Sequence, residues 1–225
     1  MYANYIKRVM DFTLALCALI VLSPLLFVLL ISGAIVMKGN PVFSQPRPGK
    51  GEKIFRLYKL KSMTDERDEN GNLLPDEKRL VSYGKFLRAS SCDELASLIN
   101  IIKGDLSIVG PRPQLVRDMV FMTDEQRRRH TVRPGLTGLA QVNGRNNITW
   151  ERKLEYDLEY IEKITFLGDV KIILQTVGKV LKRSDIVRDG TSSDMDFGDW
   201  LMLNGEVDEE TYDAKQEEAK ELIGV

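Results

Sequence analysis

The sequence predicts an α+β, mostly helical protein with an N-terminal re-entrant membrane helix hairpin, amphipathic interfacial helices and a small β element. Three observations predict it. Residues 12–37, Phe12 through Met37, hold no charged side chain. Behind them only Ile54–Leu60 reads as strand, and most remaining apolar residues recur at helical spacing. The expected organisation is a membrane anchor over residues 1–40, a domain at the cytoplasmic face over 41–188, and an acidic, solvated tail over 189–225.

The uncharged run has 26 residues, roughly 39 Å as helix, against a hydrocarbon core of about 30 Å. Either half alone, at roughly 18 Å, is too short. Ser23-Pro24 sits near its midpoint. Proline offers no amide to the carbonyl four residues back and its ring pushes on that turn, so a bend is expected there, with the Ser23 hydroxyl available to the freed carbonyl. Two topologies fit: one kinked span, or a re-entrant hairpin whose ends emerge on one face. Lys7 and Arg8 precede the run, and Lys38, Arg47, Lys50, Lys53, Arg56, Lys59 and Lys61 follow it. The positive-inside rule asks both flanks to stay cytoplasmic, which favours the hairpin. A cleaved signal peptide has an apolar core of only about 7 to 15 residues.

The near-neutral whole conceals a division. Residues 1–188 carry 30 Lys plus Arg against 21 Asp plus Glu, whereas residues 189–225 carry 2 against 12. The front part therefore favours anionic partners, phosphates and an acidic membrane surface among them, and the tail would be repelled by both. Helix is expected in the tail from Glu206 to Leu222, solvated or docked on a partner. Two cysteines, Cys17 and Cys92, make no disulfide framework, and a single histidine, His130, excludes a His-rich zinc site. There is no P-loop and no G-x-G-x-x-G turn. Aromatic residues do not interleave with basic ones, so no nucleic-acid partner is expected. Nothing signals an oligomeric state.

Along the chain, Pro41 to Gly51 reads as loop from its prolines and glycines, Ile54–Leu60 as strand, and Thr64 to Glu77 as an exposed turn. Leu80 to Arg88 is helical in pattern. A second helix starts near Asp93, with Leu95, Leu98, Ile99 and Ile102 on one face and Gly104 as its stop. Gly110-Pro111-Arg112-Pro113 is rigid loop, Thr123 to His130 a short charged helix, and Arg133 to Arg145 an irregular stretch whose glycines let backbone approach a ligand. Trp150 to Phe166 and Asp169 to Arg183 are amphipathic helices; the apolar stripe of the latter faces either the core or the bilayer interface.

Asp93 and Glu94 open a helix, where a carboxylate is stabilised by the dipole and free amides. Ser91 and Glu94 also stand in S-x-x-E spacing, a capping box that would explain Glu94 without chemistry. A reactive carboxylate needs an electrophile, and Arg88, Arg112, Arg133, Arg145, Lys59 and Lys61 suit phosphate oxygens, although loop arginines are often only solvated surface. Arg112 stands out: fixed between Pro111 and Pro113, its backbone loses little entropy on engaging a ligand. Cys92 reads as a small hydrophobe rather than a nucleophile. His130, among Arg127, Arg128 and Arg129, is disfavoured in its charged form and receives no role.

The segments Ile54 to Met63, Asp93-Glu94-Leu95, Lys103 to Pro113, Arg133 to Gly138 and Gln141 to Arg145 resemble the bacterial sugar transferases, the monotopic polyprenyl-phosphate phosphoglycosyl transferases that start glycoconjugate assembly. The resemblance runs from about Tyr5 to Arg183 and is closest to the small members made of the catalytic domain alone. In that family a Ser-Pro pair breaks a re-entrant membrane helix, which matches Ser23-Pro24. The resemblance implies transfer of a sugar 1-phosphate from a UDP-sugar to polyprenyl phosphate, with magnesium (Mg2+), by a ping-pong route at the cytoplasmic leaflet of the bacterial inner membrane. It makes Asp93 the nucleophile and a metal ligand, and Glu94 an assistant in the second transfer. Arg88 and Arg112 become phosphate holders; Arg145, Lys59 and Asp157 are assigned to the nucleotide. Many relatives carry an apolar residue at the position of Cys92 and a proline where this chain has Ala96. The segment after about Asp189 lies outside the resemblance. A different class, a non-catalytic anchored module binding anionic lipid or nucleotide, explains the charge but leaves Asp93-Glu94 idle.

Overall fold

The computed structural model describes residues 2–144, 148–182 and 195–224. After a π-helical turn at Tyr2–Ile6, α1 runs unbroken from Lys7 to Val36 with Pro24 inside it. The bend expected at Ser23-Pro24 does not interrupt the helix. The Ser23 hydroxyl donates to the Ile20 carbonyl at 2.8 Å, the carbonyl four residues before Pro24, so the group that proline strands is satisfied within the helix. This helix is long and apolar enough to cross a membrane by length and composition, with a mean hydropathy of 3.0 over its most apolar stretch, only 11% of which is buried.

Both ends of α1 are tied to the same globular body. At its start, Lys7 pairs with Asp169 at 2.7 Å, the Arg8 guanidinium donates to the carbonyls of Ile101 and Ile102, and the buried Asp11 accepts from Ser107 and from the Ile108 amide. Farther along, Ala15 packs against Leu57 and Ile101, and Leu29 against Leu60 and Leu87, with the Tyr83 hydroxyl donating to the Leu29 carbonyl.

Strands β1 (Val42–Pro48) and β2 (Ile54–Leu60) form an antiparallel hairpin, with Ser44 opposite Tyr58 and Pro46 opposite Arg56. The loop expected between Pro41 and Gly51 is therefore mostly strand. Tyr58 and Arg56 turn their backbone groups away from β1, so Pro46 and Pro48 occupy positions whose missing amides the ladder does not use. The outward edge of β2 is closed by side chains. Asn100 accepts from the Tyr58 amide at 3.0 Å and donates to the Arg56 carbonyl at 2.8 Å, while the Ser97 hydroxyl donates to the Tyr58 carbonyl at 2.7 Å.

Short α2 (Asp76–Arg79) leads into α3 (Ser82–Ser90), a 3₁₀ segment at Cys92–Ser97 and α4 (Leu98–Lys103), which Gly104 ends in the left-handed conformation at φ 94°. Strand β3 (Ser107–Val109) pairs in parallel with β4 (Gly135–Thr137), and α5 (Val116–Met119) and α6 (Asp124–Arg127) lie between them. The glycines expected to admit a ligand instead admit backbone: a β-carbon on Gly135 would lie 2.1 Å from the Gly110 nitrogen. Next come α7 (Leu139–Val142), α8 (Trp150–Glu162) and α9 (Phe166–Lys182). Helix α9 buries Ile172 against Val109 and Tyr160 and leaves Leu167, Leu174 and Val177 exposed.

The acidic tail, expected to be solvated, packs back onto the domain. In α10 (Phe197–Leu203), Phe197 and Leu201 are buried against Met122, Trp150 and Leu154; in α11 (Glu209–Ile223), Ala219 sits on Val116, Met119 and Val120. The Phe197 amide donates to the buried Asp118 carboxylate and Asp196 pairs with Arg117. Burying these apolar groups outweighs the solvation of acidic side chains, which stay on the outer face of α11.

Asn100 is fully buried, and Asn100→Leu would leave backbone groups of β2 unpaired. A loss of about 2–4 kcal/mol in chemical unfolding is expected; an unchanged denaturation midpoint would show that the β2 edge does not depend on it.

Candidate functional site

One cleft of about 480 Å³ gathers most of the residues singled out in the sequence. Its floor is one face of the hairpin, where Phe43, Gln45, Arg47 and Lys59 point the same way. Asp93 and Glu94 enter from the 3₁₀ segment, Arg88 from the end of α3, Arg112 from the loop before α5, and Asp157 from α8. Arg145 lies outside the described residues. Ser23 and Pro24 sit on α1 and do not line the cleft.

Local geometry explains how Asp93 reaches this position. Ser91 adopts φ 55°, in the left-handed region, ending α3 and turning the chain straight into the 3₁₀ segment. Such a conformation is costly for serine and marks a turn that its surroundings must hold. No side-chain cap forms at Ser91, so the capping-box explanation of Glu94 fails. The Glu94 carboxylate is directed to Lys59 at 2.9 Å and to Arg112 at 3.4 Å, while Lys59 also stands 3.8 Å from Asp93. Arg88 donates to the Ser62 hydroxyl at 3.1 Å; Gly84 lets α3 press onto that backbone, since a β-carbon there would lie 1.7 Å from the Ser62 carbonyl oxygen.

Burial pushes the Asp93 carboxyl above its ordinary range, Lys59 opposes that, and Glu94 adds to it; Arg112 and Arg88 favour the anion. An acidic pair walled by cations suits chemistry on a phosphate, because the cations hold non-reacting oxygens while a carboxylate faces the phosphorus. Among the described residues no group of three or more His, Cys, Asp or Glu clusters as metal ligands. Asp93 and Glu94 nevertheless fit magnesium, a hard cation commonly held by one or two carboxylates with substrate phosphates completing the shell.

Three further cleft residues, Arg47, Gln141 and Lys153, receive no site role from the sequence. Arg47 donates to the Pro113 carbonyl at 3.1 Å and to Gln45 at 2.8 Å, and its burial beside Arg112 lowers its pKa to about 10. Its signal is present in the sequence: Pro46-Arg47-Pro48 repeats the Pro-Arg-Pro context that singles out Arg112. Gln141 and Lys153 line the far wall. Outside the lining, Arg129 is fully buried, donating to Asp157 at 2.9 and 2.6 Å and to the Arg112 carbonyl at 2.5 Å. One oxygen of Asp157 thus holds the arginine that fixes the Arg112 loop.

The profile of the bacterial sugar transferase family matches residues 2–183. The chain belongs to that family. This bacterial sugar transferase is 49% identical over 178 residues to an uncharacterized sugar transferase, EpsL, of Bacillus subtilis, covering 78% of the chain and 87% of that relative. It is 37% identical to a UDP-glucose:undecaprenyl-phosphate glucose-1-phosphate transferase of Klebsiella pneumoniae, over 77% of the chain and 39% of the relative. Identity to an undecaprenyl-phosphate galactose phosphotransferase of Salmonella typhimurium is 31%, over 80% of the chain and 41% of the relative. The match therefore spans about two-fifths of the latter two proteins.

His130 does not line the cleft; it stands 3.3 Å from Glu52, which accepts two bonds from Arg127. Burial, and then Arg129, lowers its pKa from 6.5 to about 4. The unfolded chain binds a proton there that the folded protein refuses, so His130 destabilises the fold progressively as pH falls from about 6.5 to about 4. Thermal melts of His130→Gln should show a flatter decline over that window than the wild type; parallel curves would contradict the assignment.

Proposed function

We propose that the chain transfers a sugar 1-phosphate from a UDP-sugar to polyprenyl phosphate, undecaprenyl phosphate in a bacterium, and releases UMP. The observation that carries this reading is Asp93 on its strained turn in a cleft with Lys59, Arg88 and Arg112. The printed names of the Klebsiella and Salmonella relatives support it.

In the first half-reaction an Asp93 carboxylate oxygen attacks the sugar-bearing phosphorus; the bond from that phosphorus to the bridging oxygen breaks, and UMP leaves with the electron pair. The product is an acyl phosphate ester between Asp93 and the sugar, a reactive carrier. An oxygen of the polyprenyl phosphate then attacks the same phosphorus, freeing the Asp93 carboxylate and giving a polyprenyl diphosphate sugar. Lys59, Arg88 and Arg112 hold phosphate oxygens and balance the charge that gathers on them. Glu94, held between Lys59 and Arg112, keeps those two cations in place and assists the second transfer. Asp93 and Glu94 would hold magnesium, which would supply further neutralisation of the diphosphate.

The same reading locates the protein at the cytoplasmic leaflet of the inner membrane, with α1 re-entrant rather than spanning. Ties from Lys7, Arg8 and Leu29 to one body support it, because a body on one face cannot hold both ends of a helix that crosses. Exposed Leu167, Leu174 and Val177 on α9 extend the apolar surface, and the Tyr2 and Phe166 rings meet at 5.9 Å where α9 joins the start of α1.

Incubation with a UDP-sugar and no lipid acceptor should add the mass of one sugar phosphate to the peptide containing Asp93, and Asp93→Asn should lose both the adduct and turnover. An active Asp93→Asn enzyme would sink the assignment. For topology, cysteines placed at Tyr2 and Gly39 should react with an impermeant reagent from the same side of sealed vesicles; labelling from opposite sides would restore a crossing helix.

A further inference from the structure

The cleft has a wall that the phosphate chemistry leaves unused. Gln141, on α7, and Asp157, on α8, are 7% and 1% exposed. Gln141 spends its amide nitrogen on the Leu136 carbonyl at 3.4 Å, and Asp157 spends Oδ2 on Arg129. Gln141 Oε1 and Asp157 Oδ1 accept no hydrogen bond from the described residues, yet both side chains line the cleft. Lys153 lies one turn before Asp157 on the same helix, also lines the cleft, and carries its ammonium 4.9 Å from the Trp150 ring. Buried acceptors without a donor are costly, and two of them on residues that line one cleft suit a ligand that brings donors.

We propose that Gln141, Lys153 and Asp157 form the subsite that reads the hexose of the sugar nucleotide. Gln141 Oε1 and Asp157 Oδ1 would accept hydrogen bonds from ring hydroxyl or amide N–H groups. This rests on the reading of the cleft as a UDP-sugar site. A hexose offers several O–H donors, whereas uracil offers one N–H flanked by two carbonyl oxygens that buried acceptors would repel. The wall is also coupled to the phosphate grip, since Arg129 binds Asp157 and the Arg112 carbonyl together. Sugar selectivity and phosphate positioning therefore share one rigid connection, and a sugar lacking the matching hydroxyl leaves a buried acceptor unpaired.

The test measures UMP release by the full chain in lipid nanodiscs over UDP-hexoses that differ at single ring carbons and their N-acetyl counterparts, with UMP inhibition and thermal stability in parallel. Gln141→Met keeps bulk and removes the acceptor. Its kcat/KM for the preferred UDP-sugar should fall about 10- to 100-fold and its discrimination among epimers should narrow, with UMP inhibition within about twofold of wild type. Gln141→Glu, which keeps an acceptor but loses the bond to the Leu136 carbonyl, should retain the wild-type order of preference at a reduced kcat/KM. An unchanged selectivity profile in Gln141→Met, or UMP inhibition weakened in step with kcat/KM, would overturn the subsite while leaving the transferase reading intact. A wild type that releases no UMP from any sugar nucleotide would remove that reading and the subsite with it.

Discussion

The geometry of the cleft depends on the closure of one strand edge. A two-stranded hairpin has free backbone groups on both sides, and on β2 those groups meet Asn100 and Ser97 instead of a third strand. Side chains of the segment that follows Asp93 thereby act as the next strand would. Because Lys59 is on β2 and Asp93 and Glu94 lie a few residues before Ser97, these bonds set the spacing of the cation and its carboxylates. The buried Asn100 also bonds Asp105, carrying the same restraint toward β3.

Around that frame the protein concentrates buried charge. Asp93, Asp157, Arg47 and Arg129 are each removed from water far more than such groups tolerate without partners, and each has an oppositely charged or backbone partner within the domain. The arrangement favours positional definition over stability. Arg129 has both partners, Asp157 and the Arg112 carbonyl, in fixed places, and could serve neither from a mobile side chain. The αL turn at Ser91 belongs to the same economy: local strain is accepted so that a carboxylate leads into the cleft.

How much was legible in the sequence varies with the physics involved. Ile54–Leu60 shows itself because its residue types prefer a pleated surface. Its partner does not: Pro46 and Pro48 read as loop, and only the register against Arg56 and Ile54 reveals that their amides are unneeded. Asp93, Glu94, Arg88 and Arg112 are recoverable from motif and residue chemistry, and the structure brings them to one cleft with Lys59 and Asp157. Arg129 is invisible because, in sequence, a buried arginine looks the same as its half-buried and exposed neighbours Arg127 and Arg128. The Ser91–Glu94 spacing misleads for a related reason: spacing carries no record of the left-handed turn that aims Glu94 at Lys59. In the tail, net charge masked Phe197, Trp200 and Leu201, whose burial takes the segment back to the domain.

Two Pro-Arg-Pro triplets, Pro46-Arg47-Pro48 and Pro111-Arg112-Pro113, stand at one cleft, and Arg47 bonds the Pro113 carbonyl of the other. Each proline removes backbone freedom from the arginine beside it, and the bond between the triplets fixes their separation. Together they work as a caliper set to one gauge. Under the phosphate reading proposed above, such a device would measure rather than adapt: an anion of matching span would meet Arg112 on a loop already held, and one of another span could not move that loop without breaking the bond that sets the gap.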